Sequence, residues 1–192
     1  MIDLIFDTET TGLPNWQAGP DDPGQPHLVQ LGLMLFQDRK VLSEANLLVY
    51  PAGEVSEAAF KVHGISTETA RRYGLPAPVA LLVFLQLLGK AERIVAHNLN
   101  FDILIIKSAL WRIGVTNIKG PAQRICTMKS SKPVLKLPGK QPGDYKLPRL
   151  EEAYKTLVDP AGFEGAHDAL ADVRACARVL WALEDGGHGL TG

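Results

Sequence analysis

The sequence predicts an α/β fold: a mixed sheet with helices on both faces. Two observations predict it. Three strand-like segments precede any convincing helix, and through the second half short apolar runs alternate with helical stripes. The first pattern implies antiparallel neighbours, the second crossover connections. At 192 residues, 46% hydrophobic and 21% charged, the chain suits one domain with a substantial core. A net charge of −1 gives no global basic field, so a nucleic-acid partner would have to be held by a local patch or through metal. Two cysteines, Cys126 and Cys176, make no disulfide framework. There is no basic-then-apolar leader and no apolar run long enough to span a membrane, so the expected setting is the cytoplasm.

The opening apolar run, Leu4 to Phe6, reads as a buried strand running straight into Asp7 and Glu9. Residues two apart on a strand share a face, so these carboxylates point the same way and repel unless a cation lies between them. The alternative is a solvated acidic strand end. Asn15 to Pro26, rich in Pro, Gly and Asp, reads as a loop. His27–Phe36 and Val41–Tyr50, joined by a short polar connection, read as an antiparallel hairpin. Ser56 and Ser66 each open a short helix, ending near Gly64 and Gly74. His63, with no second His or Cys at ligand spacing, reads as a loop or cap residue.

Pro76 to Leu88 carries a broad apolar stripe of the kind a helix buries against a sheet. Arg93 to His97 is a brief strand, and Asn98 to Ile113 a helix with Asp102 in its first turn, where the helix dipole favours negative charge. Gln123 to Thr127 is a further strand. Met128 to Arg149 holds six Lys/Arg against one acid, and its Pro and Gly residues argue for a loop, either solvated or acting as a basic arm on a phosphate backbone. Leu147 to Leu157 is helical, and Asp168 is placed to cap a last helix running to about Leu183. Asp172 sits one turn into that helix, with His167 just ahead of it. One domain over residues 1–184 is expected, with a flexible tail over 185–192.

Taken in order, Phe6–Leu13 (FDTETTGL), His97–Asp102 (HNLNFD) and His167–Asp172 (HDALAD) resemble the three motifs of the DEDDh family of 3′→5′ exonucleases, in the ribonuclease-H-like superfamily. The resemblance covers nearly the whole chain. It implies a five-stranded mixed sheet whose first three strands are antiparallel. It also implies hydrolysis of phosphodiester bonds of DNA or RNA from the 3′ end, releasing nucleoside 5′-monophosphates. Asp7, Glu9, Asp102 and Asp172 would hold two Mg²⁺ or Mn²⁺ ions, Asp7 bridging them, and His167 would be the general base. By the same resemblance Thr10, Thr11, Gly12 and Leu13 would meet the terminal nucleotide, with Asn98 and Phe101 beside its sugar or base. Core packing is the other reading of Leu13 and Phe101. Lys132, Lys136, Lys140 and Lys146 are candidate phosphate contacts. The expected partner is a nucleic-acid 3′ end, single-stranded, with a separate DNA polymerase for any proofreading role. Three alternatives stay open: an inactive nucleic-acid-binding accessory of a polymerase, an RNA-trimming enzyme, and a hydrolase of small phosphoesters.

Overall fold

The computed structural model describes residues 1–121 and 123–192. Its sheet has five strands: β1 (Ile2–Thr10), β2 (Leu28–Gln37), β3 (Lys40–Leu48), β4 (Arg93–Ala96) and β5 (Gln123–Cys126). They lie in the order β3-β2-β1-β4-β5. β1 pairs antiparallel with β2, and β2 with β3, while β4 runs parallel to both β1 and β5. The mixed sheet with three antiparallel strands at one side is therefore the one expected. Asp38 and Arg39 both take positive φ in the two-residue turn between β2 and β3, as a tight primed hairpin turn requires.

The helices are α1 (Glu57–His63), α2 (Thr67–Tyr73), α3 (Ala77–Leu88), α4 (Leu99–Arg112), α5 (Thr127–Leu135), α6 (Leu150–Leu157) and α7 (Ala169–Asp185). The apolar runs in β1 and β2 are continuous because both sheet faces are covered. Leu4, Phe6, Leu31 and Leu33 pack with α3 and α4, through Leu81, Phe84, Ile105 and Leu110. Ile5, Met34 and Phe36 point the other way, onto Val173, Cys176 and Leu180 of α7. A buried Arg93–Asp3 ion pair, with Nε and Nη2 donating at 2.5 and 2.6 Å, ties β4 to β1 where the two residues are register partners.

Two expectations need correction. The basic segment 128–149 is helical as far as Leu135, with Pro133 inside α5. Pro133 lacks only the N–H that would reach the Lys129 carbonyl, and α5 ends two residues later, so the helix loses a single bond. The segment expected as a flexible tail folds back on the sheet. Cys126 N donates to the Thr191 carbonyl (2.7 Å), Thr191 N to Ser130 Oγ (3.0 Å) and Lys129 Nζ to the Gly192 carbonyl (3.1 Å). β5 is an edge strand, and the returning chain satisfies a backbone donor that the edge leaves unpaired.

Candidate active site

Alternation along β1 distributes the site between two faces of the sheet. Thr8 follows Leu4 and Phe6 toward α4, and there it meets Asp102. Its backbone N–H and its hydroxyl both donate to Asp102 Oδ1, at 3.0 and 2.7 Å. Asp7 and Glu9 follow Ile5 toward α7, which carries Asp172. Glu9, His167 and Asp172 each present a ligand atom within 4.8 Å of the other two. The structure thus brings Glu9, His167 and Asp172 together, and Asp7 and Asp102 lie near enough to raise the carboxyls around them.

The carboxylates crowd one another. Asp7 is held well above the ordinary carboxylate range, by burial first and then by Asp102, Asp172 and Glu9. Glu9 is pushed up to about 8 by burial and by Asp172 and Asp102. Asp102 also reaches about 8, burial outweighing the two Thr8 hydrogen bonds that oppose it. Asp172 reaches about 6, burial again leading. Among the described residues, every ion pair lies elsewhere, so no lysine or arginine neutralises the group. Converging carboxylate oxygens that lack a partner charge fit a hard divalent cation.

The His167 turn is built with care. His167 takes φ 70°, and its backbone N–H donates to both Asp172 oxygens at 3.3 and 3.2 Å, leaving the imidazole exposed. Asp168 caps α7 through Ala171 N (3.1 Å). Burial alone would raise Asp168, but donors from Asn46, Ala171 and Gln30 hold it below its usual range. Gln30 also accepts from Ala169 N at 3.1 Å, so β2 grips the start of α7 from two sides.

Beside the acids lies a cavity of about 260 Å³, lined by Thr8, Glu9, Thr10, Gly12, Leu13, Phe101 and the inner face of α1. Leu13 is 89% exposed, so it is no core residue. Thr11 does not line the cavity: its N–H donates to the His27 carbonyl and its Oγ1 accepts from His27 N, both at 2.9 Å. Asn98 stands at the start of α4 with φ 82°, likewise outside the lining. Lys132 and Lys146 are paired with Asp144 (3.6 Å) and Glu152 (2.5 Å), whereas Lys136 and Lys140 are exposed.

Residues 4–180 match the family model RNase_T, described as exonuclease. The chain belongs to the exonuclease family. With the motif set and fold above, it is a DEDDh-type member of the ribonuclease-H-like superfamily. It is 30% identical over 177 residues to a PolC-type DNA polymerase III of Thermotoga petrophila, an alignment covering 92% of this chain and 11% of that protein. It is 29% identical over 181 residues to a putative bifunctional exonuclease/endonuclease protein of Mycobacterium tuberculosis, covering 94% of this chain and 26% of that protein. The chain therefore spans only a small part of the curated relatives it matches. Its fold is shared with E. coli exonuclease I solved with a dT13 oligonucleotide, at a TM-score of 0.75 and 19% identity over 95% of this chain and 41% of that one. No helix among the described residues of this exonuclease domain is long and apolar enough to cross a membrane.

Some residues that shape the site carry no motif in the sequence. Gly32 is the β2 partner of Asp7, and a Cβ there would collide with the Ala169 carbonyl, so only glycine lets α7 approach the sheet at the acids. The signal was present: one glycine and one glutamine, Gln30, interrupt an otherwise apolar strand. His63 accepts from Ile65 N at Nδ1 (3.1 Å), so its Nε2 carries the proton and donates to the Thr10 carbonyl (3.1 Å). Expected as a loop or cap residue, it is instead the last residue of α1, and it ties that helix to the end of β1 in the cavity wall.

Proposed function

We propose that this exonuclease hydrolyses single-stranded nucleic acid from the 3′ end, one nucleoside 5′-monophosphate at a time. The observation that carries the reading is the cluster of Glu9, His167 and Asp172, with Asp7 and Asp102 near enough to crowd it, beside a cavity that Glu9 lines together with Leu13 and Phe101. The four carboxylates would hold two Mg²⁺ or Mn²⁺ ions, which when bound supply charge stabilisation at the phosphoryl oxygens and at the departing 3′ oxygen. The terminal nucleoside enters the cavity against Leu13 and Phe101. That places the scissile phosphate by Glu9, which lines the same cavity. His167, whose imidazole is exposed, accepts a proton from water as the water oxygen attacks phosphorus. The P–O3′ bond breaks, and the leaving oxygen of the shortened strand takes up a proton. Descent shared with a PolC-type polymerase supports work alongside a polymerase.

The test uses 5′-labelled single-stranded DNA and RNA of matched sequence, in Mg²⁺, Mn²⁺ and EDTA, with Asp7→Ala and His167→Ala beside the unsubstituted chain. A ladder shortening from the 3′ end, abolished by EDTA and by Asp7→Ala and depressed about 10²- to 10⁴-fold by His167→Ala, is the expected result. Intact substrate under every metal condition would overturn the assignment. The relative DNA and RNA rates decide which polymer it acts on.

A further inference from the structure

We propose that Trp16 is a stacking platform for the base next to the terminal one, so that the enzyme favours a 3′ end whose last two nucleotides are both unpaired. The proposal rests on the exonuclease reading above. Phe101 forms part of the cavity wall, and Trp16 stands on its outer side, with ring centroids 6.4 Å apart and planes inclined at 54°. Trp16 is 59% exposed and does not line the cavity itself. Leu13, 89% exposed, lines the same cavity three residues earlier in the chain, so the exposed indole belongs to the segment that borders the cavity.

The loop that carries Trp16 is held firmly. Gln25, only 2% exposed, accepts from Asn15 N (3.1 Å) and donates to the carbonyls of Asn15 (3.0 Å), Ala18 (3.3 Å) and Gly19 (3.1 Å). Arg112, reaching across from α4, donates to the carbonyls of Gln25 and Pro26. Asn15 accepts from Gln17 N (3.0 Å) and closes the turn around Trp16 itself. An indole left in water on a loop fixed by buried polar groups forgoes the stabilisation its burial would bring, and its preset orientation lowers the cost of binding a flat partner. The chemistry of the loop selects the kind of partner. Residues 15–26 contain Asp21 and Asp22 and no lysine or arginine, so the loop offers a strand an aromatic face and not a phosphate site. Every base has a π-face, so stacking here is tolerant of sequence and common to DNA and RNA.

The test is a coupling cycle between protein and substrate. Initial rates are measured on a short single-stranded oligonucleotide, on the same oligonucleotide abasic at the penultimate position, on one abasic at the terminal position, and on a nitrophenyl ester of thymidine 5′-monophosphate. Trp16→Ala is expected to lower kcat/KM on the intact oligonucleotide about tenfold, mainly through KM, relative to its rate on the ester. Removing the penultimate base should cost the unsubstituted enzyme a similar factor and cost Trp16→Ala almost nothing further, and Trp16→Phe should restore most of the sensitivity. Independent, multiplicative losses would overturn the proposal, as would coupling to the terminal base in place of its neighbour. If the unsubstituted chain with Mg²⁺ or Mn²⁺ cleaves neither the oligonucleotides nor the ester, the exonuclease reading itself has failed. Cleavage of both without coupling leaves that reading standing and removes Trp16.

Discussion

Thr8 gives two hydrogen bonds to a single oxygen of Asp102, one from its backbone and one from its side chain. That oxygen is thereby fixed, while the carboxylate as a whole lies close enough to Asp7 to raise it. The arrangement makes Thr8 an orienting residue for a carboxylate that would hold metal. Such partners are worth about 10- to 100-fold in metal affinity. Thr8→Val keeps the shape and deletes the hydroxyl donor. The expected outcome is a rise of about tenfold in the Mg²⁺ concentration for half-maximal activity, with a much smaller change in kcat once metal saturates. A metal titration that superimposes on that of the unsubstituted chain would show that the backbone bond alone suffices.

Gly32→Ala tests whether the approach of α7 to β2 sets the site. The new Cβ meets backbone at the Ala169 carbonyl, which cannot rotate away as a side chain could. Overpacking of this kind costs about 1–3 kcal/mol. In a chain of this size each kcal/mol lowers Tm by about 2–4 °C. The same displacement carries His167 and Asp172 away from Glu9, so the rate should fall by more than the stability loss explains. A variant with the parent's Tm and rate would mean that α7 accommodates the methyl without moving the site.

The crowded acids make a sign-specific prediction about pH. Glu9 and Asp102 are raised to about 8 and Asp172 to about 6. In the unfolded chain they return to about 4, so the folded state binds their protons more tightly. Their contribution to stability is fully present below about pH 4 and is lost as pH climbs toward about 8. The metal-free protein should therefore lose Tm across that window. Mg²⁺ or Mn²⁺ should restore it at the alkaline end, by replacing protons with a cation among the carboxylates. Asp102→Asn should flatten the metal-free dependence. Thermal unfolding scanned over pH in EDTA and in Mg²⁺ reads all three, and a metal-free Tm that rises between pH 6 and 8 would contradict the crowding.

A meander of strands followed by strand–helix units was legible because it rests on local pattern. Alternation in β1 tells which side chains share a face, and the three short motifs carry their own spacing. What was not legible depends on pairings distant in sequence. Pro133 looked like a breaker, yet its single lost bond falls near the end of a helix packed against α6 and α7. The segment 185–192 read as disordered by composition, but the edge of β5 offered it a partner. Thr11 sat inside a motif that pointed to substrate, while its N–H and hydroxyl turned out to serve His27, sixteen residues away. Trp16 fell in a segment whose Pro, Gly and Asp content signals only a loop, and nothing local shows that Gln25 and Arg112 make that loop rigid.

The basic segment's lysines differ in their surroundings. Lys132 and Lys146 already face Asp144 and Glu152, whereas among the described residues no ion pair engages Lys136 or Lys140. The stretch that carries these two is anchored at its far end, where His97 donates from Nε2 to the Pro148 carbonyl at 3.1 Å, and His97 stands just before Asn98, the N-cap of the helix that carries Asp102. Burial holds His97 down at about 4, against the opposing pull of that hydrogen bond, so it stays neutral and the anchor persists through the physiological range. Charge reversal of Lys136 and Lys140 together should weaken binding of a single-stranded oligonucleotide. It should also reduce the slope of log K against log salt by about 0.7 for each phosphate that the variant no longer neutralises. Reversal of Lys132 and Lys146 should change that slope less, because their acids already offset part of their charge. Binding isotherms over a salt series for the two double variants decide the matter, and equal slopes for both and for the parent would place the strand on another face of the domain.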